Sequence, residues 1–206
     1  GGRLVYQDGD GLLDLPAPRL LGRHQFANAG TAIATLRRAG LALRTSAFET
    51  GLETVEWPAR LQSLAGGTLA ERAPGAELWL DGGHNPAAGL VIAEAMADLE
   101  ERAPKPLVLI AGMLNTKDPV GFFQPFAGIA ERVYTVPVPG SAASRDPGEL
   151  AAIAEAAGVP SEAVADVSEA LARIAAAERQ NAPRILICGS LYLAGSVLAA
   201  NGTPPA

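Results

Sequence analysis

From Glu56 onward the chain alternates short apolar runs with amphipathic segments, and this alternation constrains the fold more than any other feature of the sequence. Trp57–Leu64, Ala76–Leu80, Pro106–Ala111, Arg132–Val136 and Arg184–Cys188 read as strands. Ala87–Arg102, Pro119–Ala127, Pro147–Ala157, Ser168–Arg179 and a last segment from Leu191 read as helices. In the first of these helices Ile92, Met96 and Leu99 share one face, while Glu94, Asp98 and Glu101 share the opposite one. Apolar strands separated by such helices predict an α/β fold, a doubly wound, mostly parallel sheet with helices on both faces. The longest uncharged stretch, residues 185–200, is shorter than the roughly 18 apolar residues a membrane span needs, and glycines and serines interrupt it. It reads as a buried strand turning into a helix.

The first 56 residues are organised differently. Asp8-Gly9-Asp10-Gly11 is a turn cluster and Pro16-Ala17-Pro18 an extended connection. A helix is predicted over Phe26–Ala39, stopped by Gly40, with Ala29, Ile33 and Leu36 on its buried face. This segment holds too little apolar mass for a core of its own, so the domain division is placed at 1–56 and 57–206. The chain opens Gly1-Gly2-Arg3 without a signal segment, and is read as part of a longer protein.

Charge and cysteine content narrow the function classes. With 16 basic and 22 acidic residues the net charge is −6, which argues against a nucleic-acid partner held by general electrostatics. Hydrophobic residues make up 49%, enough to exclude a disordered chain. One cysteine, Cys188, and two histidines, His24 and His84, leave no disulfide framework and no cysteine- or histidine-rich metal site. The expectation is a cytoplasmic monomer with no membrane partner.

Three predicted strand-to-helix junctions concentrate polar residues, and in open α/β sheets ligands bind beyond the carboxyl ends of the strands. The first is Leu80-Asp81-Gly82-Gly83-His84-Asn85-Pro86, in which Asn85 suits a helix cap and Pro86 the first helical position. Asp81 and His84 are thereby expected at the mouth of the sheet. The second, Gly112-Met113-Leu114-Asn115-Thr116-Lys117-Asp118-Pro119, repeats the cap-then-proline ending and adds a lysine. The third, Cys188-Gly189-Ser190-Leu191-Tyr192, sets a hydroxyl at a helix start. Each taken singly is also ordinary turn and cap chemistry, and Cys188 reads as a small core residue. No Gly-x-Ser-x-Gly elbow, Gly-x-Gly-x-x-Gly fingerprint or Gly-Lys-[Ser/Thr] phosphate loop accompanies them. The chain offers anion-friendly loops without the main phosphate cradle.

These junctions resemble motifs of the folylpolyglutamate synthases and bifunctional dihydrofolate synthases of the Mur ligase superfamily. Asp81–Pro86 is similar to the family's Asp-Gly-Ala-His-Asn-Pro, Gly112–Asp118 to its Gly-x-Leu-x-x-Lys-Asp loop, and Cys188–Tyr192 to its Gly-Ser-Leu-Tyr junction. Gly22-Arg23-His24-Gln25-x-x-Asn28-Ala29 and Trp57-Pro58-Ala59-Arg60-Leu61-Gln62 resemble two earlier signatures. The resemblance implies a Mur ligase C-terminal, Rossmann-like domain preceded by the tail of a central ATPase domain. It implies ATP-dependent joining of L-glutamate to dihydropteroate or folate through an acyl phosphate, with magnesium whose ligands lie outside this chain. Its small-molecule partners are then ATP, glutamate, and dihydropteroate or folate. By motif position Asn28 approaches the adenine, Arg60 the phosphates, and Asp81 the ribose or hinge. His84 and Ser190 fall on the glutamate side, and His84 and Lys117 are the catalytic candidates. The phosphate loop is expected upstream of residue 1, leaving this chain inactive by itself.

Two positions depart from the family pattern. Ala59 stands where glycine is usual, and Gly83 replaces the usual alanine, which is expected to be harmless in a turn. Two other readings compete: a stand-alone nucleotide or amino-acid binding module, and a Mur-type ligase acting on a cell-wall peptide precursor.

Overall fold

The computed structural model describes residues 2–177 and 180–204, and the chain divides into two compact units, Gly1–Trp57 and Pro58–Ala206. In the first unit, strands β1 (Arg3–Asp8) and β2 (Gly11–Pro16) form an antiparallel hairpin, followed by helices α1 (His24–Arg38) and α2 (Thr45–Thr54). The Asp-Gly-Asp-Gly cluster closes the hairpin: Asp8 pairs with Gly11, and the Asp10 N–H donates to Asp8 Oδ1 at 2.9 Å. Alternation then sends Leu4 and Leu15, which face each other across the ladder, into a cluster with Ala29, Ile33, Phe48 and Leu52. The segment therefore does gather a small core of its own. Arg37 closes one side, its Nε 3.0 Å from Asp8 Oδ2.

The second unit is a six-stranded sheet in the order β3 (Gln62–Ser63), β4 (Glu77–Leu80), β8 (Arg184–Cys188), β5 (Leu107–Ala111), β6 (Ala130–Thr135), β7 (Ser161–Ala163). All neighbours are parallel except β3 and β4. The chain steps from β4 over to β5 and on to β6 and β7 through α3 (Pro86–Arg102), α4 (Pro119–Phe123) and α5 (Pro147–Ala156), which pack against one another. It then returns through α6 (Val167–Ala176) to β8, between β4 and β5, and ends in α7 (Leu191–Asn201). Right-handed crossovers running in opposite directions must cover opposite faces, so the doubly wound α/β arrangement expected from the sequence follows from this order. Every residue of β5 and β8 is buried, as two-sided coverage requires. On the α6/α7 face Leu78, Leu80, Val108, Ile110, Ile185 and Ile187 pack with Leu171, Ile174, Val197 and Leu198.

Arg184, fully buried at the start of β8, anchors the opposite end of the sheet from the polar junctions. Its Nε lies 2.9 Å from Glu77 Oε2, and its Nη2 donates to the Ala103 carbonyl at 3.1 Å. Lys105 Nζ reaches the same Glu77 at 3.3 Å. Burial alone would raise the Glu77 pKa, but the Arg184 and Lys105 hydrogen bonds and charges outweigh it and hold the carboxyl below its ordinary value.

Several sequence expectations are corrected. Trp57–Leu64 is not a continuous strand: Gln62 and Ser63 form β3 against β4, Leu64 N–H adds a bond to the Leu78 carbonyl at 2.8 Å, and the residues before them form an arch. The helix expected over Pro119–Ala127 ends at Phe123 and tightens into a 3₁₀ turn over Gln124–Phe126, because Pro125 has no N–H to continue the ladder. β7, three residues long, was too short to be read, and α2 escaped because only Phe48 and Leu52 along it are buried apolar residues. The helix expected over Ser168–Arg179 ends at Ala176; its predicted last two residues lie outside the described ones. Among the described residues no helix is long and apolar enough to cross a membrane.

Candidate active site

Strand order brings the three polar junctions together. β4, β8 and β5 are adjacent and parallel, so the loops leaving their carboxyl ends share one edge of the sheet. Backbone hydrogen bonds join them: Gly189 N–H to the Gly83 carbonyl at 2.9 Å, and Gly112 N–H to the Cys188 carbonyl at 3.2 Å. Gly189 sits at φ +98°, and a Cβ there would stand 2.7 Å from the Gly112 carbonyl oxygen, so both backbone conformation and closeness require glycine. The helix starts are capped as the sequence predicted. Asn85 accepts from Ala88 N–H at 2.8 Å, Asp118 from Gly121 N–H at 3.1 Å, and Ser190 from Tyr192 N–H at 3.1 Å.

A fourth segment joins this edge because β3 runs antiparallel to β4. Gln62 at the start of β3 pairs with Leu80 at the end of β4, which carries the preceding residues to the same rim. There Ala59 and Leu61 both adopt positive φ, +56° and +42°, on either side of Arg60. Left-handed backbone at a non-glycine residue costs about 1–2 kcal/mol and persists only where surrounding contacts hold it. Those contacts are explicit. Leu61 N–H donates to Asp81 Oδ2 at 2.8 Å, Gly82 N–H to the Ala59 carbonyl at 2.8 Å, and Ala59 N–H to Gln62 Oε1 at 3.0 Å. Ala59 and Leu61 are buried, and the Arg60 side chain between them is exposed.

Asp81 is buried, and its other carboxylate oxygen accepts Gly83 N–H at 2.7 Å. A Cβ on Gly83 would stand 2.5 Å from Ile92 Cδ1 and 2.9 Å from both Ala88 Cβ and Asp81 Oδ1, so in this chain an alanine there would require those side chains to shift. His84 is half-buried, with Nδ1 2.9 Å from the Gly82 carbonyl. A carbonyl only accepts, so Nδ1 carries a proton, and the tautomer this selects for a neutral ring has its lone pair on Nε2. Ser190 is buried with its oxygen engaged as the α7 cap. Burial, reinforced by the Asp81 charge, raises the Cys188 pKa far above that of a free thiol, which leaves it a protonated core residue.

Lys117 lies half-buried in the loop after β5. That loop is braced by Arg145, which sequence reasoning missed: Nη2 donates to the Asn115 carbonyl at 2.9 Å and reaches that of Lys117 at 3.5 Å. The available signal was Asp146-Pro147, a further cap-then-proline pair immediately after Arg145, with Asp146 accepting from Glu149 N–H at 3.0 Å. Gln62 was also missed as a loop brace. Arg60, Asp81, His84, Lys117 and Ser190 thus share one rim of the second unit. Asn28 belongs to the first unit, exposed on α1, where its Nδ2 donates to Gln25 Oε1 at 3.0 Å. Among the described residues no group of three or more His, Cys, Asp or Glu side chains makes a metal site.

Comparison with known proteins accords with this geometry. The family described as "Dihydrofolate synthetase, C-terminal domain" matches residues 69–200, more than half of the chain. The folylpolyglutamate synthase of Lacticaseibacillus casei is 30% identical over 96% of this chain and 43% of its own length. Among solved structures, the folylpolyglutamate synthase of Thermotoga maritima is 30% identical, with a TM-score of 0.67 over 95% of this chain and 42% of that one. That of Mycobacterium tuberculosis, solved with ADP and AMPPCP, is 25% identical with a TM-score of 0.75, over 100% of this chain and 48% of that one. The chain spans less than half the length of these relatives. It belongs to the family of dihydrofolate synthetase C-terminal domains found in folylpolyglutamate and dihydrofolate synthases.

Proposed function

We propose that the chain supplies the C-terminal part of an ATP-dependent ligase that joins L-glutamate to folate, dihydropteroate or both. Residues 1–56 are read as the end of the ATP-binding domain and 57–206 as the C-terminal domain. The observation that carries this reading is the clustering of Arg60, His84, Lys117 and Ser190 at the carboxyl ends of neighbouring parallel strands, in a chain whose relatives are folate–glutamate ligases.

In the proposed reaction an oxygen of the substrate carboxylate attacks the γ-phosphorus of ATP, and ADP leaves. The glutamate nitrogen then attacks the acyl carbon of the resulting acyl phosphate, and inorganic phosphate departs. Arg60 binds the transferring phosphoryl group, where a fixed guanidinium offsets charge building on its oxygens. Ser190 and Lys117 hold the glutamate, Lys117 as a cation toward a carboxylate. His84, with its lone pair on Nε2, accepts the proton that the attacking nitrogen must shed. Magnesium supplies charge neutralisation on the nucleotide. The described residues of this chain do not form a site for it, and no step here is assigned to it.

The test is ADP release by the intact gene product with L-glutamate and either dihydropteroate or a folate. Both ligand pairs inactive would refute the reading. Arg60→Ala is expected to lower turnover by about 10²-fold with an unchanged melting temperature, since its side chain is exposed. Loss of stability at unchanged turnover would remove Arg60 from the mechanism.

A further inference from the structure

We propose that Asp81 and Gln62 are positioning residues for Arg60, acting on the backbone that carries it rather than on a ligand. Two non-glycine residues in left-handed conformation, one on each side of a single exposed arginine, are stored strain in need of a cause. The cause lies in three hydrogen bonds. Asp81 Oδ2 takes the N–H of Leu61, on the carboxyl side of Arg60, at 2.8 Å. Gln62 Oε1 takes the N–H of Ala59, on its amino side, at 3.0 Å. The Ala59 carbonyl is fixed in turn by Gly82 N–H at 2.8 Å, from the residue following Asp81. Because Asp81 Oδ1 accepts Gly83 N–H at 2.7 Å, one buried carboxylate ties the Arg60 arch to the loop that bears His84. Arg60 and His84 are thereby held in fixed register, although they belong to separate segments of the chain.

This inference rests on the reading of Arg60 as the phosphate-binding group, and a double-mutant cycle in the intact gene product separates the two. Asp81→Asn replaces one accepting oxygen with an amide NH₂ facing an N–H donor. It is expected to lower kcat by about 10–100-fold, the scale of a misplaced catalytic group, with little change in the KM for ATP. In an Arg60→Ala background the same change is expected to cost a clearly smaller factor in kcat, because there is no guanidinium left to misplace and only the Asp81 bond to the loop bearing His84 is still disturbed. An equal loss in both backgrounds, or a rise in the KM for ATP that persists without Arg60, would overturn positioning and indicate direct contact with the nucleotide. Gln62 gives an arm that spares the buried carboxylate. Gln62→Met is expected to lower kcat, and Gln62→Glu, which keeps an acceptor for Ala59 N–H, to restore it; equal rates for the two would overturn the role of Gln62. Full turnover in Arg60→Ala would refute the phosphate reading alone. Amide exchange at Leu61 then decides the clasp, which requires protection in the wild type and its loss in Asp81→Asn.

Discussion

Gly89 and Gly195 both occupy helix interiors, so helix propensity alone expects replacement by alanine to stabilise each by about 0.8–1.0 kcal/mol. Their surroundings differ. A Cβ on Gly195, exposed on α7, would meet nothing within 4 Å. A Cβ on Gly89 would overlap the Phe122 carbonyl oxygen and stand 3.0 Å from its Cα and 3.1 Å from its carbonyl carbon. These are backbone atoms at the contact of α3 with α4, and they cannot rotate aside as a side-chain end would. Overpacking costs about 1–3 kcal/mol, and immovable atoms place this site in the upper half of that range. Set against the propensity gain, the net effect of Gly89→Ala is a loss of about 1–2 kcal/mol. Gly195→Ala keeps its gain. At roughly 2–4 °C per kcal/mol for a chain of this size, melting should fall by about 2–8 °C in the first and rise by about 2–4 °C in the second. Urea denaturation followed by the fluorescence of Trp79, on β4, would measure both. Stabilisation by Gly89→Ala would refute the argument that helix contact, not propensity, chose that glycine.

Two other perturbations test the frame around the site. Because the folded-state pKa of Glu77 is lowered, its contribution to stability is full above the unfolded-state value near 4.5 and is lost as pH falls through the folded value. The gap between wild type and Glu77→Gln should therefore stand at about 1 kcal/mol near pH 7, discounted for the partial exposure of the carboxylate, and narrow below about pH 4.5. A gap that widens on acidification would contradict the assignment. Asn201, buried at the end of α7, accepts Leu69 N–H at 3.0 Å and donates to the Gly66 carbonyl at 2.8 Å. Asn201→Ala strands both groups and should cost about 2–3 kcal/mol, read as a lower urea midpoint; a change under about 0.5 kcal/mol would show that the loop over residues 66–70 rearranges freely.

Much of the second unit was legible because its signals are local. Arg184–Cys188 is apolar along its central residues and bounded by Pro183 and Gly189, and its strand limits match the reading. Asn85-Pro86, Asp118-Pro119 and Ser190 announce helix starts through caps that bond within three residues of themselves. The hairpin of the first unit escaped because its inward residues are few, Leu4 and Leu15 chief among them, and its outward face carries Val5 and Leu12, which blur the alternation.

What the sequence determined by itself was the alternation of strands and helices and the chemistry placed at their junctions, since both depend on neighbours a few positions apart. What only the tertiary structure decided was that the strand expected over Trp57–Leu64 shrinks to Gln62–Ser63, with an arch before it. Left-handed backbone at Ala59 and Leu61 is unfavourable locally, and it is held from some twenty residues away, by the Asp81 carboxylate, which accepts Leu61 N–H, and by Gly82 N–H, which donates to the Ala59 carbonyl. The strand order that sets β8 between β4 and β5 is likewise a product of packing: it brings Ser190 to the rim that already bears His84 and Lys117, residues separated from it by most of the domain.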